Sequence, residues 1–308
     1  MNLKKIVKKD SSTYYLLKKL KTTYLYNKLN KMNEIQKMEY IGKLYKKKIG
    51  RDMNWSNPKS YTEKIQYEKL NGRMKEKVQL ADKYRVRKWV KEKIGEDYLI
   101  GLLGVWEKAR EIDFQSLPNR FVLKTNCSSG DVIIVKDKST LSSKDIRNIR
   151  KKLDFYLHCK YGVDTGEFQY ALMKPVIIAE EFIEYQSNDL PDYKFLCFDG
   201  VPMYCWVDIG RYSNHKRNVY NLKWELQSWN QEKYGNTNYP IESPKNFDKM
   251  IEIATQLSNG FPHVRVDLYN VNGKIYFGEM TFTNGSGFEP IIPSEADEML
   301  GELWSLSK

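Results

Sequence analysis

The alternation of apolar and polar residues is clearest in the last fifth of the chain, where VRVDLYN and KIYFGEMTF flank Val271-Asn272-Gly273. Two period-two runs around a Gly-containing break predict a β-hairpin. Loop length decides which side chains share a face. A two-residue loop at Asn272-Gly273 sets Asp267 opposite Gly278 and turns Glu279 to the other side. A three-residue loop, with Gly273 left-handed as a bulge, sets Arg265 opposite Glu279 and Asp267 opposite Phe277. In that register Arg265, Asp267, Glu279 and Thr281 point to one face, because side-chain direction has period two. Two carboxylates and a hydroxyl beside an arginine form a hard oxygen site suited to Mg²⁺ carrying a phosphate. Taken alone, the same pattern is an amphipathic sheet with a solvated polar face.

Upstream, helical and strand periods alternate. Leu16, Leu20, Tyr24 and Leu29 recur near the helical period with lysines between them, so residues 1–50 read as helical. Ser56-Asn57-Pro58 breaks the pattern, and residues 61–70 resume a helix with Thr62 as its cap. A helix over residues 80–93, opened by Asp82-Lys83, stops before Gly95, and an apolar run follows at 98–105. FVLKT (121–125) and DVIIVK (131–136) read as strands around Asn126-Cys127-Ser128-Ser129-Gly130. Residues 142–161 are helical, with Ser142 or Ser143 capping. VIIAEEFI (176–183) is a buried strand running into a polar hinge. Residues 193–198 and 201–209 form a hairpin over Asp199-Gly200, and a helix over 246–257 precedes the terminal hairpin. Tightly turned strands interleaved with helices indicate an α+β or mixed α/β fold.

Composition changes the picture in one respect. The net charge of +12 is concentrated: residues 1–50 carry 14 Lys, no Arg and only Asp10, Glu34 and Glu39 as acids, so the remainder is almost neutral. A basic arm on a neutral body fits an anionic surface better than a protein gripping nucleic acid throughout, and Arg-free basicity is a poor base reader. No nucleic-acid partner is expected. A helical arm of this kind can lie on anionic lipid or pack on the body as a solvated helix, and the pattern does not choose between them. Cys127, Cys159, Cys197 and Cys205 lack metal-type spacing, which argues against a zinc site or a disulfide framework. The opening MNLKKIVKKD lacks the apolar stretch of a secretory signal, and no apolar run is long enough to span a bilayer. A cytoplasmic location is expected, with residues 1–50 touching the inner face of the membrane if the arm is a lipid device.

Several charged residues stand where a bland fold has no need of them. Lys124 lies inside an apolar strand directly before the small-residue turn, a placement that is costly without a partner. A lysine beside free backbone N–H groups is a common way to hold phosphates, although the turn is not GxxxxGK[ST]. Glu180 and Glu181 end a buried strand at a hinge whose backbone can read an adenine edge. Asp192 can take a ribose hydroxyl, and Asn214-His215-Lys216-Arg217 is a cationic cluster read as a loop. Each of these, singly, has an ordinary reading as a snorkelling or solvated charge.

Their order carries more than any member. The series resembles the ATP-grasp superfamily from about Leu80 onward, and within it the branch named for teichuronopeptide biosynthesis (TupA-like). LADKYRVRKWV, RFVLKTNCSSG, AEEFIE with LPDYKFLCFDG, DIGRYSNHKRNVY, FPHVRVDLYNVNGKIYFGEMTF and NGSGFEP carry the resemblance, and PKSYTEKIQYEKL extends it over nearly the whole chain. It implies an α+β ATP-grasp fold with two subdomains clamping the nucleotide and a helical basic N-terminal extension. The implied boundaries are 1–79 for the N-terminal region, 80–184 for the lid-bearing subdomain and 185–308 for the metal-bearing one. Lys83 and Lys124 would contact the ATP phosphates, with Ser128, Ser129 and Gly130 as the lid. Glu180, Glu181 and Ile183 would line the adenine, and Asp192 would hold the ribose. Lys194, Lys216 and Arg217 would face the phosphates or an acidic substrate. Asp267, Glu279 and Thr281 would hold Mg²⁺, and Arg265 would stabilise the reacting centre. The superfamily usually has Asn where Thr281 stands, and Gly130 is the lid's only glycine.

The resemblance implies a carboxylate–amine ligase acting through an acyl phosphate. Its substrates would be a uronic acid of a bacterial surface polysaccharide and an amino acid or other amine. The competing reading is a glycosyltransferase of the same pathway. That reading wants a DxD motif, and Asp267 has no second Asp two residues on.

Overall fold

The structure is a computed structural model that describes residues 11–185, 190–211 and 213–306. The helices run α1 Ser12–Asn30, α2 Glu34–Ile49, α3 Tyr61–Asn71, α4 Met74–Leu80, α5 Val86–Ile94, α6 Ser143–His158, α7 Phe168–Leu172, α8 Phe247–Ser258 and α9 Ser294–Glu302. The strands of the first sheet are β1 Leu102–Trp106, β2 Phe121–Thr125, β3 Ile133–Val135 and β4 Ile177–Glu181. Those of the second are β5 Asp192–Phe198, β6 Val201–Ile209, β7 Lys216–Asn221, β9 His263–Val271 and β10 Lys274–Thr281. β8 Asn230–Gln231 and β11 Ile291–Ile292 form a short ladder of their own. The fold is α+β, with every ladder antiparallel.

The chain divides into two compact units built from interleaved segments. The first takes the described residues up to Lys37, Met74–Arg85 and Ile100–Ile183; the second takes Met38–Arg73, Val86–Leu99 and Glu184 onward. Residues 1–79, read from the sequence as one N-terminal region, are thus shared between the two. The first ten residues of the basic arm lie outside the described residues.

In the first unit the strand order is β1-β4-β2-β3. Strict alternation in β2 buries Phe121, Leu123 and Thr125 and leaves Val122 and Lys124 on the other face. Phe121 and Leu123 pack with Ile177, Ala179 and Val135 against Leu153 and Leu157 of α6. α6 starts at Ser142, which forms a capping box with Asp145 and so satisfies the N-terminal amides reciprocally. The helix read over residues 80–93 starts only at Val86, as α5; Leu80 ends α4, and residues 81–85 form a turn. Asp82 accepts hydrogen bonds from the amides of Tyr84 and Arg85, an Asx turn that ends α4 and opens α5.

In the second unit the order is β10-β9-β5-β6-β7. One face is mainly apolar: Phe195, Cys197, Cys205, Val207, Val264, Val266 and Leu268 are buried on it, and α8 covers it with Met250, Ile253, Ala254 and Leu257. The other face is divided. Leu196, Phe198, Trp206 and Val219 pack beneath Tyr61 and Ile65 of α3 and Ala296 and Leu300 of α9. The remainder of that face is ionic. α3 is capped by Ser60, in a capping box with Glu63, and not by Thr62. Thr62 instead donates from its amide and its hydroxyl to Asp297 of α9 at 2.9 and 2.6 Å.

The β5–β6 and β9–β10 hairpins have two-residue turns with positive φ at each position: 47° and 80° at Asp199-Gly200, 55° and 98° at Asn272-Gly273. Of the two loop lengths open at Gly273, the two-residue one is therefore formed. Lys274 pairs with Val271, and that register continues to Phe277 opposite Leu268. A bulge at Gly278 then shifts it by one, so that Glu279 pairs with Asp267 and Thr281 with Arg265. The β5–β6 hairpin does the same, with Met203 as its extra residue, which places Asp192 opposite Asp208. The shared face anticipated for Arg265, Asp267, Glu279 and Thr281 is present, but the bulge produces it and the turn does not.

Candidate functional site

The ionic half of the five-stranded sheet gathers charge from every strand. β5 contributes Asp192 and Lys194, β6 Asp208, β7 Arg217, β9 Arg265 and Asp267, and β10 Glu279 and Thr281. Arg265 is its hub. Its Nε and Nη2 donate to Asp267 Oδ1 and Oδ2, each at 2.6 Å. The same Nη2 reaches Thr281 Oγ1 at 3.1 Å and Glu279 Oε1 at 3.2 Å, and Nη1 donates to Asn284 Oδ1. Oxygens from Asp267, Glu279 and Thr281 thus converge on a single cationic nitrogen.

Lys194 is 3% exposed, and burial works to lower its pKa. Asp192 and Asp267 outweigh that effect and hold it raised. Its Nζ donates to both carboxylates, at 2.8 Å to Asp267 Oδ2, while Arg211 Nη1 donates to Asp192 at 2.9 Å. Burial pushes the Asp267 carboxyl up, against the pull of Arg265 and Lys194. Asp192 Oδ1 is buried with no hydrogen-bond partner among the described residues. An ionic cluster at this depth is tolerable only with its members paired, since an unpaired buried charge costs several kcal/mol.

The residues at 214–217, expected to be a cationic loop, are in part strand. Lys216 and Arg217 open β7, and Lys216 is half-buried there. Arg217 is 3% exposed, with Nε and Nη2 on Asp208 at 2.5 and 2.7 Å and Nη1 on Gln231. Its guanidinium lies over the rings of Trp206 and Tyr234 at 4.6 and 4.2 Å. With its fork closed on Asp208, Arg217 serves to hold that carboxylate. Burial alone would raise the Asp208 carboxyl; Arg217, with His215 and Lys194, holds it well below the usual carboxylate range.

A second cluster lies in the first unit. Lys124 meets Glu180 across the β2–β4 ladder, Nζ to Oε2 at 2.5 Å, which supplies the partner its strand position requires. Glu181 is exposed at the end of β4, and Ile183 beyond it is half-buried. Gly101 makes room for Glu181: a Cβ there would lie 2.4 Å from Cδ of that carboxylate. The turn after β2 is pinned at its root. Asp131 accepts from the Thr125 amide at 2.6 Å and the Thr125 hydroxyl at 2.5 Å, and that hydroxyl lies 2.8 Å from Ser128 Oγ. Ser128 is therefore buried, while Ser129 and Gly130 are exposed. Lys83 is brought to this turn, with its amide on Asn126 O at 3.1 Å and its Nζ on Ser128 O at 2.9 Å. Asn126 completes the frame, donating to Asp82 at 2.7 Å and accepting from the Val176 amide at 2.8 Å. Burial pushes the Cys127 thiol within the turn up to about 12, so it is not a nucleophile at neutral pH.

Asp208, Asn284, Asn126 and Asp131 had not been singled out from the sequence. Asp208 carried a signal, an acid inside the apolar run VPMYCWVDI. The two asparagines sit in turns, where that residue is unremarkable.

The oxygen set suits a small hard divalent cation. Among the described residues no three His, Cys, Asp or Glu side chains cluster so as to hold a metal on their own. Mg²⁺ asks for less than that, taking one or two carboxylates and completing its octahedron with water and substrate phosphates. Convergence of three oxygens within 3.2 Å of Arg265 Nη2 marks a position already built for positive charge.

A family model described as TupA-like ATPgrasp matches residues 63–305. No curated protein matches the chain. Among solved structures, it is similar to the D-alanine–D-alanine ligase from Bacillus anthracis complexed with ATP, at 16% identity over 73% of this chain and 62% of that one, TM-score 0.39. It is similar to the D-alanine–D-alanine ligase from Helicobacter pylori at 15% identity over 80% and 69%, TM-score 0.42. The ATP-grasp ligase PsnB, in complex with its minimal precursor, Mg and ADP, matches at 10% identity over 79% and 66%, TM-score 0.39. The chain spans less than two thirds of the Bacillus anthracis ligase it matches.

Proposed function

Because this chain belongs to the TupA-like ATP-grasp family, we propose that it is an ATP-dependent carboxylate–amine ligase. The observation that carries the reading is the ionic half-face of the second sheet, where Asp267, Glu279 and Thr281 converge on Arg265. In the reaction, a substrate carboxylate oxygen attacks the γ-phosphorus of ATP, the bond to the β-phosphate oxygen breaks, and ADP and an acyl phosphate form. An amine nitrogen then attacks the acyl carbon; inorganic phosphate leaves, the nitrogen gives up a proton, and an amide remains. Such chemistry asks the protein for positioning and charge neutralisation and for no nucleophile of its own.

Lys83 and Lys124 would meet the nucleotide phosphates, beside the exposed Ser129 and Gly130 and the anchored Ser128. Glu180, Glu181 and Ile183 would face the adenine, and Asp192, with its unpartnered Oδ1, the ribose. Lys194 keeps Asp192 and Asp267 in register with each other. Mg²⁺, held by oxygens of Asp267, Glu279 and Thr281, would neutralise phosphate charge when bound. Arg265 would offset the negative charge of the tetrahedral intermediate, and Lys216, at the start of β7, would face the phosphates or an acidic substrate. Arg217 is a positioning residue acting through Asp208. The carboxylate would be a uronic acid of a surface glycan and the amine an amino acid, at the cytoplasmic face of the membrane with residues 1–50 against it.

The test is thermal denaturation of the full chain with Mg·ATP, with ATP and chelator, and with UDP-sugars. A ligand at about 100 times its dissociation constant adds about 2.7 kcal/mol of stability, a plain rise in Tm. Stabilisation by Mg·ATP that is lost in Glu279→Gln is expected, together with phosphate release dependent on a carboxylate and an amine. Stabilisation by a UDP-sugar with none by Mg·ATP would establish the glycosyltransferase reading instead.

A further inference from the structure

Helix α1 has two faces of different character. Tyr14, Tyr15, Thr22 and Leu29 are buried, with Tyr15 stacked on Phe155 of α6 at 4.6 Å and Thr22 Oγ1 3.6 Å from Cys159 Sγ. Lys18 belongs to this side, its Nζ 5.7 Å from the Phe155 ring centroid. On the other side Leu16, Leu20 and Tyr24 follow at i, i+4 and i+8, and are 58%, 58% and 68% exposed. At 3.6 residues per turn they make one row, spanning an arc of about 80°. Lys19 borders the row on one side, Lys21 and Lys28 on the other, and Lys31 lies at its C-terminal end. Between Ser11 and Asn33 there is no acidic residue.

A helix that only packs on the body has no use for a continuous outer row of large apolar side chains. One lying in the plane of a bilayer interface needs that row, with cations along its borders. We infer that the outer face of α1 seats in the headgroup layer of an anionic lipid bilayer. Leu16, Leu20 and Tyr24 enter the acyl boundary, and the flanking lysines meet lipid phosphates. Charge selects this occupant: a second copy would bring a second acid-free set of lysines against the first, whereas an anionic surface neutralises them. The two uses of the arm left open by the sequence are then both realised, one on each face. This goes beyond the proposed electrostatic attachment of residues 1–50, because it requires insertion by named side chains. It stands apart from the ligase chemistry.

The experiment is co-sedimentation of the full chain with vesicles of phosphatidylcholine alone and of phosphatidylcholine mixed with phosphatidylglycerol, at low and physiological salt. Three chains are compared: wild type, a Leu16→Ser/Leu20→Ser/Tyr24→Ser variant and a Lys19→Gln/Lys21→Gln/Lys28→Gln variant. All of these positions lie outside the core, and an unchanged Tm together with unchanged stabilisation by Mg·ATP separates this result from the fate of the ligase reading. Wild type is expected to pellet with the mixed vesicles and much less with neutral ones. The apolar variant should lose binding about tenfold or more, and the lysine variant about fivefold per charge removed. Equal pelleting of the apolar variant would overturn insertion, leaving adsorption by charge alone. No pelleting of wild type, or a concentration-dependent dimer that the apolar variant abolishes, would overturn the lipid assignment.

Discussion

Asp208 shows how one residue's environment becomes a property of the folded state. Burial opposes its ionisation, yet Arg217, His215 and Lys194 hold its pKa below the ordinary carboxylate range. A depressed folded pKa contributes stability that is complete above the unfolded value of about 3.9 and is lost as pH falls through the folded one. Asp267 and Asp297 are raised by burial and act in the opposite sense, gaining stability as they protonate. The protein should lose stability on acidification below about pH 4. Asp208→Asn should show a shallower loss over the same window while starting lower at pH 7, because Arg217 is left unpaired. Urea unfolding at stepped pH measures both, and an unchanged slope would remove Asp208 from the account. At this scale the sequence was legible for Lys124, a charge inside an apolar strand, and for Arg265, Asp267 and Glu279, on one face of an alternating pair of strands. It was silent on Asn284 and Asn126, whose residue type belongs in any turn.

At the scale of elements, the decisive device is an extra residue in each of two strands. The glycine turns were readable because positive φ at consecutive positions has a residue signature. The bulges at Met203 and Gly278 were not, because one unpaired residue leaves no periodic trace longer than itself. Without them Asp208 and Glu279 would turn into the apolar face beneath α8. A Cβ on Gly278 would stand 3.0 Å from Asp267 O and 3.4 Å from the Tyr269 ring. Gly278→Ala should therefore cost about 1–3 kcal/mol as overpacking and also weaken stabilisation by Mg·ATP. Ser60→Ala, which removes the cap of α3 and one hydrogen-bond acceptor of Arg51, should cost about 1–2 kcal/mol and leave that stabilisation intact. Denaturant melts of both, with and without nucleotide, separate damage to the site from damage to the fold. The helix over 80–93 was misread for a related reason: Asp82 looks like a helix opener, and it is one, but for α5, after α4 has already ended.

For the molecule as a whole, the apolar and ionic patterns were sufficient to predict antiparallel sheets with helical cover. They were not sufficient to assign residues 1–79, which two units share. Cys127, Cys159, Cys197 and Cys205 are distributed over both units and all are buried, and burial raises each thiol, Cys127 and Cys197 to about 12. The native protein should resist a thiol reagent such as DTNB at neutral pH, and all four thiols should react together on unfolding. Rapid labelling of one thiol in native buffer would reveal local opening of the unit that holds it.

The pairing of Thr62 with Asp297 joins positions 235 residues apart within the second unit. A ribosome adding about 5–20 residues per second releases α3 some 10–50 s before α9 exists to cover it. Through that interval Tyr61 and Ile65, fully buried at the end, have no sheet and no partner helix to lie against. The first unit has every segment by Ile183, so the nascent chain carries one finished half and one early helix waiting on its last-made partner. Chaperone demand during synthesis should concentrate on that wait.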